Sequence, residues 1–189
     1  TWEHPLVRET IDVVYNSELG NAAVALIKQK SIKPGTVLIE TLFNADCPAP
    51  KRLQIGRYLD QQPIRYLITL DGRDLSEAID CEAFTRLLKP TSITQSAGVV
   101  RELRTKISAA LTHLEGRAAE QVSLLRDAAT SMISQELNSE ATRLEALGRR
   151  NGSVRDDELQ MIKQIQKDSL EAVTRAEARL QGVRVVVAI

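Results

Sequence analysis

From Ser96 to about Leu147, apolar side chains recur at steps of three and four: Val100, Leu103, Ile107, Leu111, Leu114, Ala118, Val122, Leu125, Ala129 and Met132. This is the period of an α-helix with one apolar stripe. At 1.5 Å per residue, about 50 residues reach roughly 75 Å. A compact chain of this size has a radius of gyration near ~16 Å, so the helix must bend or protrude, and Gly116, in mid-stripe, is the one candidate break. Asn151-Gly152-Ser153 turns the chain, and Ser153 with Asp156 fits a variant of the capping box. The second helix that follows carries Leu159, Ile162, Leu170, Val173 and Leu180. The two helices are expected to form an antiparallel hairpin with Leu125 and Leu170 in its seam.

Before this helical stretch the pattern is different. Pro5 to about Asn16 places Val7, Ile11 and Val14 at helical spacing, predicting a short amphipathic helix with proline at its start. Val24 and Leu26 suit one face of a strand, and Lys33-Pro34-Gly35 is turn chemistry. Thr36 to Phe43 alternates as a strand, with Val37, Ile39 and Phe43 opposite Leu38, Glu40 and Leu42. Asp46-Cys47-Pro48-Ala49-Pro50 reads as a loop, because two prolines cannot donate to a ladder. Ile64 to Leu70 is a further strand, closed at Asp71-Gly72 by a hairpin-type turn. The last seven residues set Val183, Val185, Val187 and Ile189 against Arg184, Val186 and Ala188. A strand apolar on both faces belongs inside a sheet. Glu40, Arg65 and Arg184 then fall on one face, and Glu40 is expected to pair with at least one of the two arginines.

The resulting fold class is α+β: a largely antiparallel sheet in the first half, closed by a C-terminal strand, with a long antiparallel helical hairpin between. Residues 1–90 and 182–189 form the sheet-rich part and residues 91–181 the hairpin. Composition supports the division, since all six aromatic residues lie in the first 84 positions and the last proline is Pro90. Leu, Ala, Glu and Arg dominate beyond it and favour helix.

Charge narrows the function classes. The 25 basic and 25 acidic side chains balance, and cutting at Pro90 leaves −1 before and +1 after, so net charge points neither to nucleic acid nor to a membrane surface. No apolar run approaches the roughly 18 residues of a membrane span. Two cysteines, Cys47 and Cys81, are too few for a disulfide framework and suit a reduced, cytoplasmic protein. Thr1 at the start and an apolar run at the end suggest a piece of something longer.

Catalytic motifs are missing from the sequence. None of the nine glycines sits in a G-x-x-x-x-G-K-[ST] or G-x-G-x-x-G pattern, and G-x-S-x-G, C-x-x-C and H-E-x-x-H do not occur. His113-Leu114-Glu115 has the H-x-E spacing of zinc deaminases without the P-C-x-x-C partner, so His113 reads as a stripe-edge helix residue. Cys47, Cys81 and His4 have no metal-ligand spacing. The sequon Asn151-Gly152-Ser153 is better explained as a turn. The reading is therefore no catalytic, cofactor-binding or metal residue in this chain. Lys51-Arg52, Arg57-Tyr58 and Arg65-Tyr66 interleave cations with aromatic rings, the texture of a single-strand nucleic-acid surface. Lys51, Arg52, Arg57 and Tyr58 are the candidate contact residues for nucleic acid or a protein partner.

Several blocks carry a resemblance across nearly the whole chain: Thr1-Trp2-Glu3-His4-Pro5-Leu6-Val7-Arg8, Ala49-Pro50-Lys51-Arg52-Leu53-Gln54, Pro63-Ile64-Arg65, Arg143-Leu144-Glu145-Ala146-Leu147, Arg155-Asp156-Asp157-Glu158-Leu159 and the closing Val-rich strand. In order and spacing, the chain resembles the C-terminal region of the RapA (HepA) family, bacterial RNA polymerase-associated ATPases of the Swi/Snf helicase-like class. The resemblance implies a parent that is an ATP-driven DNA translocase, binds core RNA polymerase and promotes its recycling in transcription. Its ATP and magnesium would be held by catalytic lobes upstream, so no catalytic residue carries over to this chain. The expected function is a non-catalytic accessory or interaction domain whose partners are those lobes and, through the parent, the polymerase, with no membrane. The alternative is a DNA- or RNA-binding module using Lys51 to Tyr66. Steep weakening by salt would mark the second.

Overall fold

The computed structural model describes residues 21–151 and 156–189 of the chain. Five strands and three helices follow in order: β1 (Ala22–Ile27), β2 (Val37–Asp46), β3 (Ile64–Thr69), α1 (Cys81–Leu87), β4 (Leu88–Pro90), α2 (Ile93–Asn151), α3 (Asp156–Thr174) and β5 (Glu177–Ala188). The strands form one mostly antiparallel sheet in the order β3-β2-β5-β1-β4. The closing strand is thus central, as its two apolar faces required. It pairs in parallel with β1, from Ala22 opposite Val183 to Ile27 opposite Ala188, whereas β1 and β4 run antiparallel. The short helix expected from Pro5 to Asn16, the turn at Gly152-Ser153 and the Ser153 cap lie outside the described residues.

The turns follow their residues. Gly35, at φ +83°, follows Pro34, and Thr36 N–H donates to the Lys33 carbonyl at 3.1 Å. Proline then glycine is the order a type II turn demands. After β3, Gly72 adopts φ +88° and its N–H reaches the Thr69 carbonyl at 2.9 Å, turning the chain so that Asp74 bridges back to Ile68. Asp80 starts α1 by accepting the Ala83 N–H at 2.9 Å, an N-cap.

The chain divides into two compact units. Among the described residues, the first comprises residues 21–40 with Leu67–Glu102 and Gly182–Ile189. Its core joins Ile27, Leu38, Leu67, Phe84 and Val186, all fully buried, with Ala25, Ile32 and Ala188. Beside that core, Glu40 has its side chain 6% exposed and accepts from Arg184 Nη1 at 3.1 Å, the expected cross-strand pair. Arg184, 33% exposed, also reaches Thr85 Oγ1 at 3.4 Å.

The second unit comprises Thr41–Tyr66 and Leu103–Gln181. Here α2 and α3 run antiparallel. Arg126 reaches the Thr174 carbonyl at 3.3 Å, Gln166 meets Asn138 at 3.0 Å and Lys163 meets Glu145 at 3.8 Å, so one number rises as the other falls. Val122, Ala129, Ile133, Ala172 and Val173 are buried in the seam with Leu53, Ile55 and Leu59, and Leu125 and Leu170 pack against them half-buried.

One question the sequence left open is answered and two expectations are corrected. Gly116 does not break the helix, which runs unbroken for 59 residues; one glycine costs only about 1 kcal/mol of helix propensity, too little to end so long a ladder. Met132 is 44% exposed, and Ile133 takes its place in the core. The buried and half-buried positions Ile107, Leu111, Leu114, Ala118, Val122, Leu125, Ala129 and Ile133 repeat every eleven residues, at 3.67 per turn. That period selects 133 over 132. Finally, the second helix stops at Thr174 and Leu180 lies in β5. Ala178 and Leu180 alternate with exposed Glu177, Arg179 and Gln181, so sheet pairing overrides local helix propensity.

Two measurements check this packing. Ile133→Ala should cost about 2–5 kcal/mol in chemical denaturation, and Met132→Ala no more than about 0.5 kcal/mol; equal costs would refute the eleven-residue register. A double-mutant cycle on Glu40→Gln and Arg184→Met should return a coupling of about 0.5–3 kcal/mol, and zero coupling would show the pair to be energetically idle.

Candidate functional site

The segment carrying the candidate contact residues is fixed by its apolar members. Pro48 and Pro50 end β2, and two 3-10 turns follow, Lys51–Leu53 and Ile55–Arg57, joined at Gln54 in the left-handed region at φ 47°. Leu53, Ile55 and Leu59 point into the core of the second unit. Lys51, Arg52 and Arg57, interleaved with them, are therefore turned outward and exposed.

The two arginines reach separate helices. Arg52 meets Asp168 of α3 at 2.8 Å, and Gln164 donates to the same carboxylate at 2.6 Å. These hydrogen bonds, Arg52's first, hold the Asp168 carboxyl below the usual carboxylate range. Arg57 meets Glu136 of α2 at 2.9 Å and lies over the Tyr58 ring at 5.6 Å. Partial burial, and then the nearby Glu136 charge, raise the Tyr58 hydroxyl pKa against the opposing pull of Arg57. Arg57, Tyr58 and Glu136 form one wall of an open cleft of about 600 Å³ completed by Met132, Ser139 and Glu140. Lys51 has no ion-pair partner among the described residues.

The structure thus brings Arg57 and Tyr58 together beside one carboxylate and sends Arg52 elsewhere. Arg65 is half-buried and Tyr66 is buried, its ring set edge-on to Phe43 at 6.2 Å and covered by the Arg117 guanidinium at 4.6 Å. Tyr66 offers no open face on which a base could stack. Residue types and spacing missed Glu136 and Asp168, which neutralise the arginines. Each lies on an amphipathic helix as one solvent-face carboxylate among many, and only the fold brings it opposite its cation.

The metal-type residues are dispersed. His113 is exposed on α2, Cys81 is exposed at the start of α1, and His4 lies outside the described residues. Cys47 is half-buried and donates its thiol to the Ala172 carbonyl at 3.2 Å. The Ala172 carbonyl also accepts the Arg175 N–H at 3.0 Å, and Ala176 N–H, Thr174 Oγ1 and Arg126 take the carbonyls of Val173, Glu171 and Thr174, so the C-terminal carbonyls of α3 are satisfied. Desolvation pushes the Cys47 thiol pKa up; Arg175 opposes this and Asp46 adds to it. Among the described residues no helix is long and apolar enough to cross a membrane.

Comparison with known proteins adds what the geometry does not carry. A family model described as "RNA polymerase recycling family C-terminal" matches residues 1–188. Proteins named "RNA polymerase-associated protein RapA" are similar to this chain: that of Yersinia enterocolitica is 34% identical, and those of Sodalis glossinidius and Klebsiella pneumoniae 33%, each over 187 residues. Each alignment takes in 99% of this chain and 19% of the relative, so the chain spans about a fifth of the relatives' length.

The two thiols should separate chemically. A raised pKa keeps Cys47 neutral, and its contribution to stability is complete below the unfolded thiol pKa and lost as pH rises through the folded value. Iodoacetamide at neutral pH should alkylate Cys81 about tenfold faster than Cys47, read by peptide mass spectrometry. Equal rates would show that the bond to the Ala172 carbonyl does not protect the thiol.

Proposed function

Because this chain belongs to the RNA polymerase recycling family, as its C-terminal region, we propose that it is a non-catalytic accessory domain of an ATP-dependent, polymerase-associated protein and supports the recycling of RNA polymerase. The observation that carries this reading is the extent of the match. Residues 1–188 fit the family's C-terminal region, and the aligned length is 19% of relatives named for their association with RNA polymerase. In this reading ATP and magnesium are handled by lobes elsewhere in the parent. The domain acts by docking or by biasing the orientation of those lobes, which is coupling and not catalysis. A parent that acts on the polymerase would do so in the cytoplasm.

The local electrostatics favour this over a nucleic-acid module built on Lys51 to Tyr66. Two of that segment's exposed cations, Arg52 and Arg57, already meet carboxylates at 2.8 and 2.9 Å. Phosphate would have to displace Asp168 and Glu136 before it gained either charge. The pairs tie the segment to α3 and α2 and make it a brace.

The purified chain should be retained by immobilised core RNA polymerase, or by the upstream lobes of its parent, and should show no saturable ATP turnover, because phosphoryl transfer depends on positioned charge that scattered carboxylates do not supply. Saturable turnover, with a contaminating ATPase excluded, would overturn the proposal. Deleting the region from the parent should leave ATP hydrolysis in place and slow multi-round transcription. Unchanged recycling would reduce the domain to a structural part.

A further inference from the structure

The chain is neutral overall, but its charges are unevenly placed. No acidic residue occurs from Asn21 to Ile39, from Ala83 to Arg101, or from Gly182 to Ile189. These three stretches belong to the first unit, and they hold β1, β4 and the last part of β5, which are neighbours in the sheet. Apart from Arg101 on α2, their cations divide into two groups. Arg86 is paired with Glu82 at 2.9 Å and Arg184 with Glu40 at 3.1 Å. Lys28, Lys30, Lys33 and Lys89 are exposed, and among the described residues none of their ammonium groups has an ion-pair partner.

The backbone gathers these four lysines at one end of the sheet. Leu26 stands opposite Lys89 and Ile27 opposite Leu88, so Lys28 and Lys89 are diagonal neighbours on one face. The loop that carries Lys30 and Lys33 leaves from Ile27 and returns beside the same strand end. Ile189 N–H donates to the Ile27 carbonyl, and Gly35 N–H to the Ala188 carbonyl, both at 2.9 Å. Among the described residues, two of the acids near this end are occupied. Asp80 caps α1 and Glu82 holds Arg86. Asp71 lies in the turn after β3, three strands from β1, but beside the start of β2, where Leu70 N–H donates to the Val37 carbonyl at 3.0 Å.

We propose that Lys28, Lys30, Lys33 and Lys89 form a binding surface for the phosphate backbone of double-stranded nucleic acid. Lysine supplies point charge without base-specific geometry, which suits sequence-independent contact. Ser31, Thr91 and Ser92, in the same acid-free stretches, add hydroxyl donors of the kind that bind phosphate oxygens. The only aromatic residue in these stretches is Phe84, which is fully buried, so nothing there stacks on an unpaired base. Their exposed large apolar side chains are Leu87, Val100 and Ile189, one on each of three separate segments. The surface is separate from Lys51 to Tyr58, and it does not depend on the accessory role proposed above.

The test is fluorescence anisotropy of the 189-residue chain with a labelled duplex DNA of random sequence. Four phosphate contacts predict a slope of log affinity against log salt of about −3 to −4, or roughly a hundredfold weakening between 50 and 200 mM salt. The variant Lys28→Gln/Lys30→Gln/Lys33→Gln/Lys89→Gln should bind at least about tenfold more weakly with a slope near zero, while Lys51→Gln retains binding. Acetylation footprinting of the unmodified chain gives a second readout that does not require a folded variant: DNA should protect these four lysines and leave Lys163 and Lys167 reactive. The proposal is overturned by absence of binding, by binding that the quadruple variant retains, by protection of Lys51 instead, or by binding to polyglutamate without binding to DNA, which would assign the surface to an acidic protein.

Discussion

A strand in the middle of a sheet must satisfy backbone groups along both of its edges, and β5 is that strand here. It lies between β2 and β1, and its Val185, Val186 and Ala188 are buried. The other elements are placed by this requirement. For the chain to supply β5 last and parallel to β1, it has to leave the sheet after β4 and come back to it, since parallel neighbours cannot be joined by a tight turn. The return of α3 along α2 performs that transport, and β5 begins three residues after α3 ends.

Within the second unit, the eleven-residue repeat does for the helices what two-sided pairing does for the strand. A stripe at 3.67 residues per turn drifts very little around a straight helix, so Val122, Ala129 and Ile133 keep facing the same neighbours over three turns. The Arg52 and Arg57 pairs sit at the margin of this packed seam and contribute orientation more than stability, because exposed pairs hold at most about 1 kcal/mol.

Much of this was legible in the residues. Alternation located β2 and β3, Pro34-Gly35 and Asp71-Gly72 located their turns, and the two-faced apolar ending located the central strand. The Glu40–Arg184 pair followed from which faces those strands present. Three-and-four spacing found the helix pair with Leu125 and Leu170 at its seam. What stayed hidden depends on contacts between distant parts of the chain. Local propensity carries Ala176 to Leu180 onward as helix, and only a neighbouring strand makes them extended. The Arg52 partner, Asp168, is 116 positions away, so the segment's charges read as free until the fold supplies the counter-charges. The lysine end of the sheet was similarly masked by a net charge of zero, because a sum over the chain discards position.

The two outer strands bear on the solubility of this molecule. With a pI of about 6.7, copies at neutral pH have little net charge to repel one another. An open sheet edge would then be free to recruit the same edge of a second copy, strand by strand. Both edges are shortened against it. The outer side of β3 is taken by the chain's own return, where Leu75 N–H donates to the Leu67 carbonyl at 2.7 Å and Ser76 Oγ accepts the Leu67 N–H at 2.9 Å. On the opposite side β4 is three residues long and contains Pro90, which has no N–H, and Lys89, whose charge would meet its own copy. Protection against self-association is therefore local, built into the sheet's two margins.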